Sequence, residues 1–197
     1  MKHPDDGHAP SLRGLRRLRS DDAQDVLDAF RSHPDMARQG EVTTLEQAQE
    51  YVDRLVDPEG PHRVWAVLDP DAPAGPAVVG VVGVSVDAAN RNGWFWYWMN
   101  ASHRGRGLTT GAARAVAGWA LSDEPGAGLH RLELGHRVNN PASAAVARAA
   151  GFVQERLERE KFLVDGERID VATYGRLRSD PWPGGDEAAA QVSVVPS

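Results

Sequence analysis

The stretch that most constrains the fold spans residues 94–110, where an aromatic run leads into a loop of arginine and glycine. Three of the chain's six tryptophans fall within residues 94–98, together with Phe95 and Tyr97. Runs of this kind favour a covered β-strand. Beyond the loop, apolar residues recur at helical spacing over residues 112–121. The stretch therefore predicts a strand, a tight loop and a helix in direct succession.

The loop itself carries Arg104, Gly105, Arg106 and Gly107. Glycines let the backbone turn its N–H groups inward, and the N-terminus of the following helix adds the positive end of its dipole. The two arginines add full charges. We therefore expect a cradle for a phosphate or pyrophosphate, with a surface turn rich in arginine and glycine as the alternative.

The residues exclude two rival phosphate loops. There is no G-x-x-x-x-G-K-[ST] pattern, and the only lysines are Lys2 and Lys161, which excludes a nucleoside-triphosphate P-loop. A dinucleotide-binding G-x-G-x-x-G after a first strand is also absent. The remaining pattern is R-x-x-G-x-[G/A], the pyrophosphate loop of the GNAT acyltransferases. Residues 104–109 resemble it, with Thr109 where that family prefers glycine or alanine.

Periodicity and turn residues predict the element order β-α-α-β-β-β-α-β-α-β-β along the chain. Thr44 and Gln47 have the spacing of a capping box, and Asp165-Gly166 is a strong signal for a two-residue hairpin turn. The predicted elements are a strand over 12–19, a helix from Ser20 to His33-Pro34, a helix from Thr44, strands over 62–68, 77–86 and 129–138, a helix opened by Asn140-Pro141 and stopped by Gly151, and strands over 152–164 and 168–177.

The chain of 197 residues is expected to hold one domain. We expect a flexible N-terminal tail over residues 1–10 and a single domain over residues 11–179. From residue 180 to residue 197 the composition turns to proline, glycine, alanine and acids without periodicity, which predicts a disordered C-terminal tail.

The composition of the chain excludes several kinds of partner and of chemistry. A net charge of −6 disfavours nonspecific binding of nucleic acid. The chain contains no cysteine, which excludes disulfides, thiolate catalysis and cysteine-ligated zinc. Its N-terminus lacks the apolar core of a signal peptide, and no stretch approaches a membrane span. We expect a cytoplasmic protein without a membrane partner.

Further motifs extend the resemblance. Asn140-Pro141-Ala142-Ser143, followed by Ala150-Gly151-Phe152, resembles the N-x-x-S…GF segment of the GNAT family. Tyr97, and Asp165-Gly166 followed by Asp170 and Tyr174, resemble the RimJ/RimL-like branch, which acetylates ribosomal-protein N-termini. The resemblance covers roughly residues 10–178. It implies the GNAT (acyl-CoA N-acyltransferase) fold of class α+β, a mixed central sheet of about seven strands flanked by helices.

The same resemblance implies acetyl-CoA as co-substrate and no metal. In the family, the strand before the pyrophosphate loop splays from its neighbour and leaves backbone groups for the pantetheine arm. Asn140 would bind the pantetheine from the other side, although it can also cap its helix. The implied cofactor contacts are Trp98, Met99 and Asn100 for the pantetheine, Arg104, Gly105, Arg106, Gly107, Leu108 and Thr109 for the pyrophosphate, and Thr110, Asn140, Ser143 and Arg148 beyond these.

Acetyl transfer also needs a group that takes a proton from the amine and a donor to the leaving thiolate. Many family members place a tyrosine four residues before the Gly-Phe glycine, but Ala147 stands there. The resemblance then implies Ser143 as donor, with an ordinary first-turn serine as the alternative. His136 and Glu160 are candidate bases, as is Glu133 on the opposite face of the same strand as His136. Each could instead be structural, and a water relay would suffice.

The function that follows is an acetyl-CoA-dependent N-acetyltransferase acting on a primary amine such as a protein N-terminus. One alternative acceptor is a small amine, an aminoglycoside or a polyamine, held by acidic residues around the second helix. Another alternative is a non-catalytic acyl-CoA-binding sensor. Either a monomer or a homodimer is compatible with the sequence. The acidic residues in question are Asp35, Glu41, Glu46 and Glu50.

Overall fold

The computed structural model describes residues 14–69, 77–123 and 127–183. Short 3-10 turns occupy Ser20–Asp22, Pro34–Gln39 and Ala101–His103. The strands are β1 (Leu15–Arg17), β2 (His62–Asp69), β3 (Ala77–Asp87), β4 (Asn92–Met99), β5 (Arg131–Arg137), β6 (Val153–Val164) and β7 (Glu167–Leu177), and the helices are α1 (Ala23–Arg31), α2 (Leu45–Val56), α3 (Leu108–Leu121) and α4 (Pro141–Ala149).

The strands form one seven-stranded sheet in the order β1-β2-β3-β4-β5-β7-β6. Every neighbouring pair is antiparallel except β4 and β5, which run parallel. The helix α3 makes the crossover between those two strands, as a parallel connection requires. The predicted fold class, a mixed sheet of about seven strands flanked by helices, is confirmed.

The strand β4 divides its side chains between two cores. Phe95 and Met99 are buried with residues of α3 and α4 on one face of the sheet, and Tyr97 packs against the same cluster. Trp98 is buried with residues of α1 and α2 on the other face, where Trp96 also packs. This alternation is the period of a strand and confirms the interpretation of the aromatic run.

Local signals in the sequence explain several boundaries. Thr44 and Gln47 form the predicted capping box at the start of α2. Gly151 follows the last turn of α4 with φ of 84°, a left-handed conformation suited to glycine. Asp165 and Gly166 both have positive φ, at 49° and 83°, and join β6 to β7 as the sequence predicts.

The end of the described chain packs back on the domain. The ring of Trp182 lies 3.9 Å from the guanidinium carbon of Arg176, which is only 1% exposed. Arg176 donates to the carbonyl of Ala150, and Arg114 of α3 donates to the carbonyl of Pro183. The domain therefore extends to at least residue 183, four residues into the predicted tail. The predicted N-terminal tail over 1–10, and residues 184–197 of the C-terminal tail predicted over 180–197, lie outside the described residues.

Within the three described ranges, no helix has the length and hydropathy needed to cross a bilayer. The same ranges contain no group of three or more His, Cys, Asp or Glu side chains that could hold a metal ion.

Candidate active site

A cleft opens where β4 and β5 part. The two strands pair only over their first residues, ending with Trp94 opposite Glu133. Beyond this point β4 stays paired to β3 as far as Met99, whereas β5 stays paired to β7 as far as Arg137. The facing edges of β4 and β5 are therefore left without each other as partners.

Backbone groups of β4 line this cleft. The N–H of Asn100 donates to the carbonyl of Val79 at 2.8 Å, towards β3. Because alternate residues of a strand direct their backbone groups to opposite sides, Tyr97 and Met99 direct theirs towards the cleft. Of Trp98, Met99 and Asn100, which were predicted to hold pantetheine from this side, Met99 therefore offers backbone groups there, and Nε of Arg104 donates to its carbonyl at 3.4 Å. Trp98 is buried on the other face, with its Nε1 donating to the Tyr51 hydroxyl at 3.1 Å.

The predicted cradle has the backbone that its glycines suggest. Gly105 and Gly107 have φ of 77° and 78°, and among the described residues no atom beyond their chain neighbours lies within 4 Å of where a Cβ would stand on either. Gly107 caps α3, and the N–H of Gly111 bonds back to its carbonyl at 3.0 Å. The first-turn N–H groups of residues 108–110 precede the intrahelical ladder and remain available to an anion. No acidic side chain occupies this turn.

The loop's cationic side chains face carboxylates. Arg106 pairs with Asp69 at 2.9 Å, and Nε2 of His103 lies 3.2 Å from the same carboxylate. Arg104 lies 3.5 Å from a carboxylate oxygen of Asp35. An anion bound at the loop must compete with Asp35 and Asp69 for these cationic side chains. Sequence analysis missed these pairs because the acids lie at least 34 residues away along the chain.

A hydroxyl pair joins β4 to α4. The Oδ1 of Asn140 accepts a hydrogen bond from the N–H of Ser143 at 3.1 Å, so Asn140 caps α4, the alternative role predicted for it from the sequence. The Ser143 hydroxyl lies 2.9 Å from the hydroxyl of Tyr97, which also lies 3.0 Å from the Ser143 carbonyl. Burial raises the pKa of Tyr97 to about 12, against the opposing effect of the Ser143 hydrogen bond. The phenol is therefore neutral at physiological pH.

His136, near the end of β5, has a defined tautomer. Its Nδ1 lies 2.9 Å from the Arg137 carbonyl, which can only accept, so Nδ1 carries the hydrogen. In the neutral ring Nε2 is then an acceptor. This nitrogen is buried and has no hydrogen-bond partner among the described residues.

Tyr97 and His136 occupy matching positions on the two sides of the cleft. Each lies three residues beyond the last paired residues, Trp94 and Glu133. Both side chains lie on the α3 and α4 face, because Tyr97 packs with that core and His136 lies against Tyr174 with ring centroids 5.1 Å apart. The sequence singled out Tyr97 only by resemblance. Its period-2 spacing from Phe95 was the signal for its face.

Three predicted residues are not brought to this cluster. Glu160 is exposed on the edge strand β6, which β7 separates from β5, and its N–H donates to Asp170 at 2.8 Å within a bulge. Arg148 is exposed in the last turn of α4, at the other end of the helix from Ser143. Thr110 lies in the first turn of α3, beside the cradle N–H groups.

Comparison with known proteins decides the family. Residues 13–153 match the acetyltransferase (GNAT) domain. The chain belongs to the GNAT family. Enzymes of the GNAT family use acetyl-CoA as co-substrate.

The relatives agree with this assignment. The chain is 33% identical over 102 residues to a ribosomal-protein-serine acetyltransferase of Escherichia coli, a match that covers 51% of this chain and 55% of the relative. The chain thus spans about half the length of the curated relatives it matches.

Solved GNAT structures share the fold. A ribosomal-protein-S5-alanine acetyltransferase of Vibrio fischeri superimposes with a TM-score of 0.72 at 20% identity, covering 84% of this chain and 93% of that one. A dodecameric spermidine N-acetyltransferase of Vibrio cholerae superimposes with a TM-score of 0.66 at 21% identity, covering 84% and 93%. At these identities the likeness concerns the fold.

Proposed function

We propose that this protein transfers the acetyl group of acetyl-CoA to a primary amine in the cleft between β4 and β5. The observation that carries the proposal is the parting of these strands directly before a glycine-turned loop and a helix N-terminus whose first turn holds no acidic residue. An extended arm such as pantetheine suits the unpaired strand edge, and a pyrophosphate suits the helix end.

The cofactor roles follow from the backbone. Met99 supplies edge groups for pantetheine amides, and the first-turn N–H groups of α3 hold the pyrophosphate. Gly105 and Gly107 keep the approach clear of side chains. Arg104 and Arg106 also pair with the phosphates, in competition with Asp35 and Asp69, and this pairing helps to orient the bound cofactor.

The remaining groups supply the chemistry. The neutral amine attacks the thioester carbonyl carbon, and the C–S bond then breaks with its electron pair on sulfur. The Ser143 hydroxyl donates a hydrogen bond to that sulfur. Nε2 of His136, which is buried in this structure, takes the proton that the amine loses, directly or through one water, once the bound substrates open a path to it. Asn140 keeps Ser143 in place by capping α4.

The acceptor that we propose is a protein N-terminus. The support is the 33% identity to an enzyme named for acetylating a ribosomal-protein serine. The small-amine alternative relied on acids around α2, and one of them, Asp35, is engaged by Arg38 at 3.1 Å and by Arg104 at 3.5 Å. A carboxylate so occupied is a weaker site for a polyamine.

An acceptor panel tests the proposal. Thiol release from acetyl-CoA is followed with peptides that begin with serine or alanine, with spermidine and with an aminoglycoside. We expect turnover with a peptide. Turnover with spermidine alone would show that the acceptor is a polyamine rather than a protein N-terminus. Binding of acetyl-CoA without turnover of any amine would support a sensor. Absence of acetyl-CoA binding would overturn the proposal. Light scattering in the same buffer tests the expected monomer or homodimer.

A further inference from the structure

The proposed mechanism gives no role to the hydroxyl of Tyr97. We infer that Tyr97 is a positioning residue, whose hydroxyl decides where the Ser143 hydrogen points and therefore whether Ser143 can donate to the leaving sulfur. The inference rests on the proposed function. It starts from the two contacts of the phenol, 2.9 Å to the Ser143 hydroxyl and 3.0 Å to the Ser143 carbonyl.

Counting hydrogens separates two arrangements. The phenol has one hydrogen, and the Ser143 carbonyl can only accept it. If Tyr97 donates to the carbonyl, its contact with the Ser143 hydroxyl requires the serine to donate, and the serine hydrogen is then occupied. If Tyr97 donates to the Ser143 hydroxyl instead, the serine accepts and its own hydrogen is free. In the structure Tyr97 donates to the Ser143 carbonyl, which is the first arrangement. Only the second arrangement, in which the phenol turns its hydrogen to the Ser143 hydroxyl as sulfur accepts the serine hydrogen, leaves Ser143 able to donate to sulfur.

The second arrangement also strengthens the donor. Tyr97 then donates to Ser143, and Ser143 donates to sulfur, so each hydrogen bond polarises the next. As the C–S bond breaks, the electron pair on sulfur is stabilised by this chain without a proton leaving Tyr97. The thiolate afterwards takes up, through solvent, the proton that the amine lost. Burial keeps the phenol protonated, since it raises the pKa of Tyr97 to about 12.

The position of Tyr97 separates this role from packing. Its ring contacts Phe95 with centroids 6.2 Å apart, and a phenylalanine would keep that contact while removing the hydroxyl. Tyr174 offers a matched control. It is buried on the same face of the sheet, and its hydroxyl donates to Gln154 at 3.4 Å.

A double-mutant cycle tests the inference by kinetics. Tyr97→Phe should lower kcat about tenfold and leave the KM for acetyl-CoA within about twofold, since the hydroxyl acts on the departing sulfur. Tyr97→Phe combined with Ser143→Ala should be no slower than Ser143→Ala alone. The control Tyr174→Phe should keep the wild-type kcat. Wild-type kcat in Tyr97→Phe, or losses that multiply in the double variant, would overturn the inference.

A binding experiment decides the matter without turnover. Calorimetry compares CoA with desulfo-CoA between pH 7 and pH 9. A site that donates to the thiolate should bind CoA more tightly as the pH rises, whereas desulfo-CoA should show no such gain. Tyr97→Phe should lose most of the gain, and an unchanged gain would refute the role of Tyr97. A wild-type protein that shows the gain but acetylates no amine would defeat the proposed function alone.

Discussion

The hydroxyl of Tyr97 lies 2.9 Å from the hydroxyl of Ser143, 46 residues further along the chain. This contact ties the cleft edge of β4 to the first turn of α4. Because Asn140 already caps that turn, the Ser143 hydroxyl is not needed as a cap. The Ser143 hydroxyl is therefore held by Tyr97 rather than by its own helix.

Replacing Ser143 tests its part in the reaction. Ser143→Ala should lower kcat about a hundred- to a thousand-fold, the range for losing a hydrogen bond to the charge that develops in the transition state. The KM for acetyl-CoA should change little. Steady-state kinetics and the melting temperature together check this. A raised KM at unchanged kcat would make Ser143 a binding residue, and wild-type kinetics would remove it from the mechanism.

The anion site at α3 can be tested by charge alone. Thr109→Glu places a negative charge in the first turn, which helps a helix by about 0.3–1 kcal/mol but repels a pyrophosphate. We expect acetyl-CoA affinity to fall more than about tenfold while the melting temperature holds or rises. Thr109→Gln is the control of similar shape and should bind within about threefold. Equal affinity of both variants, measured by calorimetry, would place the pyrophosphate elsewhere.

Two truncations locate the end of the domain. A chain ending at residue 183 should keep the stability of the full chain, whereas one ending at residue 179 loses Trp182 from its place over Arg176. Loss of that stacking and of the contact between Arg114 and Pro183 should cost about 2 kcal/mol. Urea unfolding measures both. Equal stability of the two truncations would show that residues 180–183 contribute nothing.

Gly151 and Gly166 separate a steric collision from backbone strain. Both have positive φ, at 84° and 83°, but only a Cβ on Gly151 would collide with Arg176 and approach Pro183. Gly166→Ala should cost about 1 kcal/mol for its left-handed backbone. Gly151→Ala should cost at least about 2 kcal/mol more. Equal losses in denaturant unfolding would mean that Arg176 gives way freely.

Alkaline unfolding reports on the buried phenol. The pKa of Tyr97 is raised from its ordinary value of 10.0 to about 12, chiefly by burial, so the folded state holds the proton more tightly than the unfolded state. Its contribution to stability is full below pH 10 and is lost as the pH rises through 12, by roughly 3 kcal/mol. Tyr97→Phe should lose correspondingly less stability over that window. Identical pH profiles would contradict the shift.

Local patterns in the sequence were enough for the element order, whereas the mixed sheet was predicted from the resemblance to the GNAT family. The period of two in β4 assigned Phe95 and Trp98 to opposite faces, and Thr44 with Gln47 marked the start of α2. The glycines of the loop likewise predicted a tightly turned backbone before α3, where Gly107 is left-handed. These features depend on residues within one or two turns of each other, so their physics is readable from neighbours alone.

The tertiary structure decided which side chains meet. Arg106 forms an ion pair with Asp69, the Tyr97 hydroxyl contacts that of Ser143, and the Trp182 ring packs on the Arg176 guanidinium. Glu160, a candidate base predicted in the penultimate strand, lies on the edge strand. Each outcome depends on strand order and on how α3 and α4 seat on the sheet, which bring together residues that the sequence places far apart. A side chain's partner is set by that packing, because hydrogen bonds and ion pairs act over only a few ångströms.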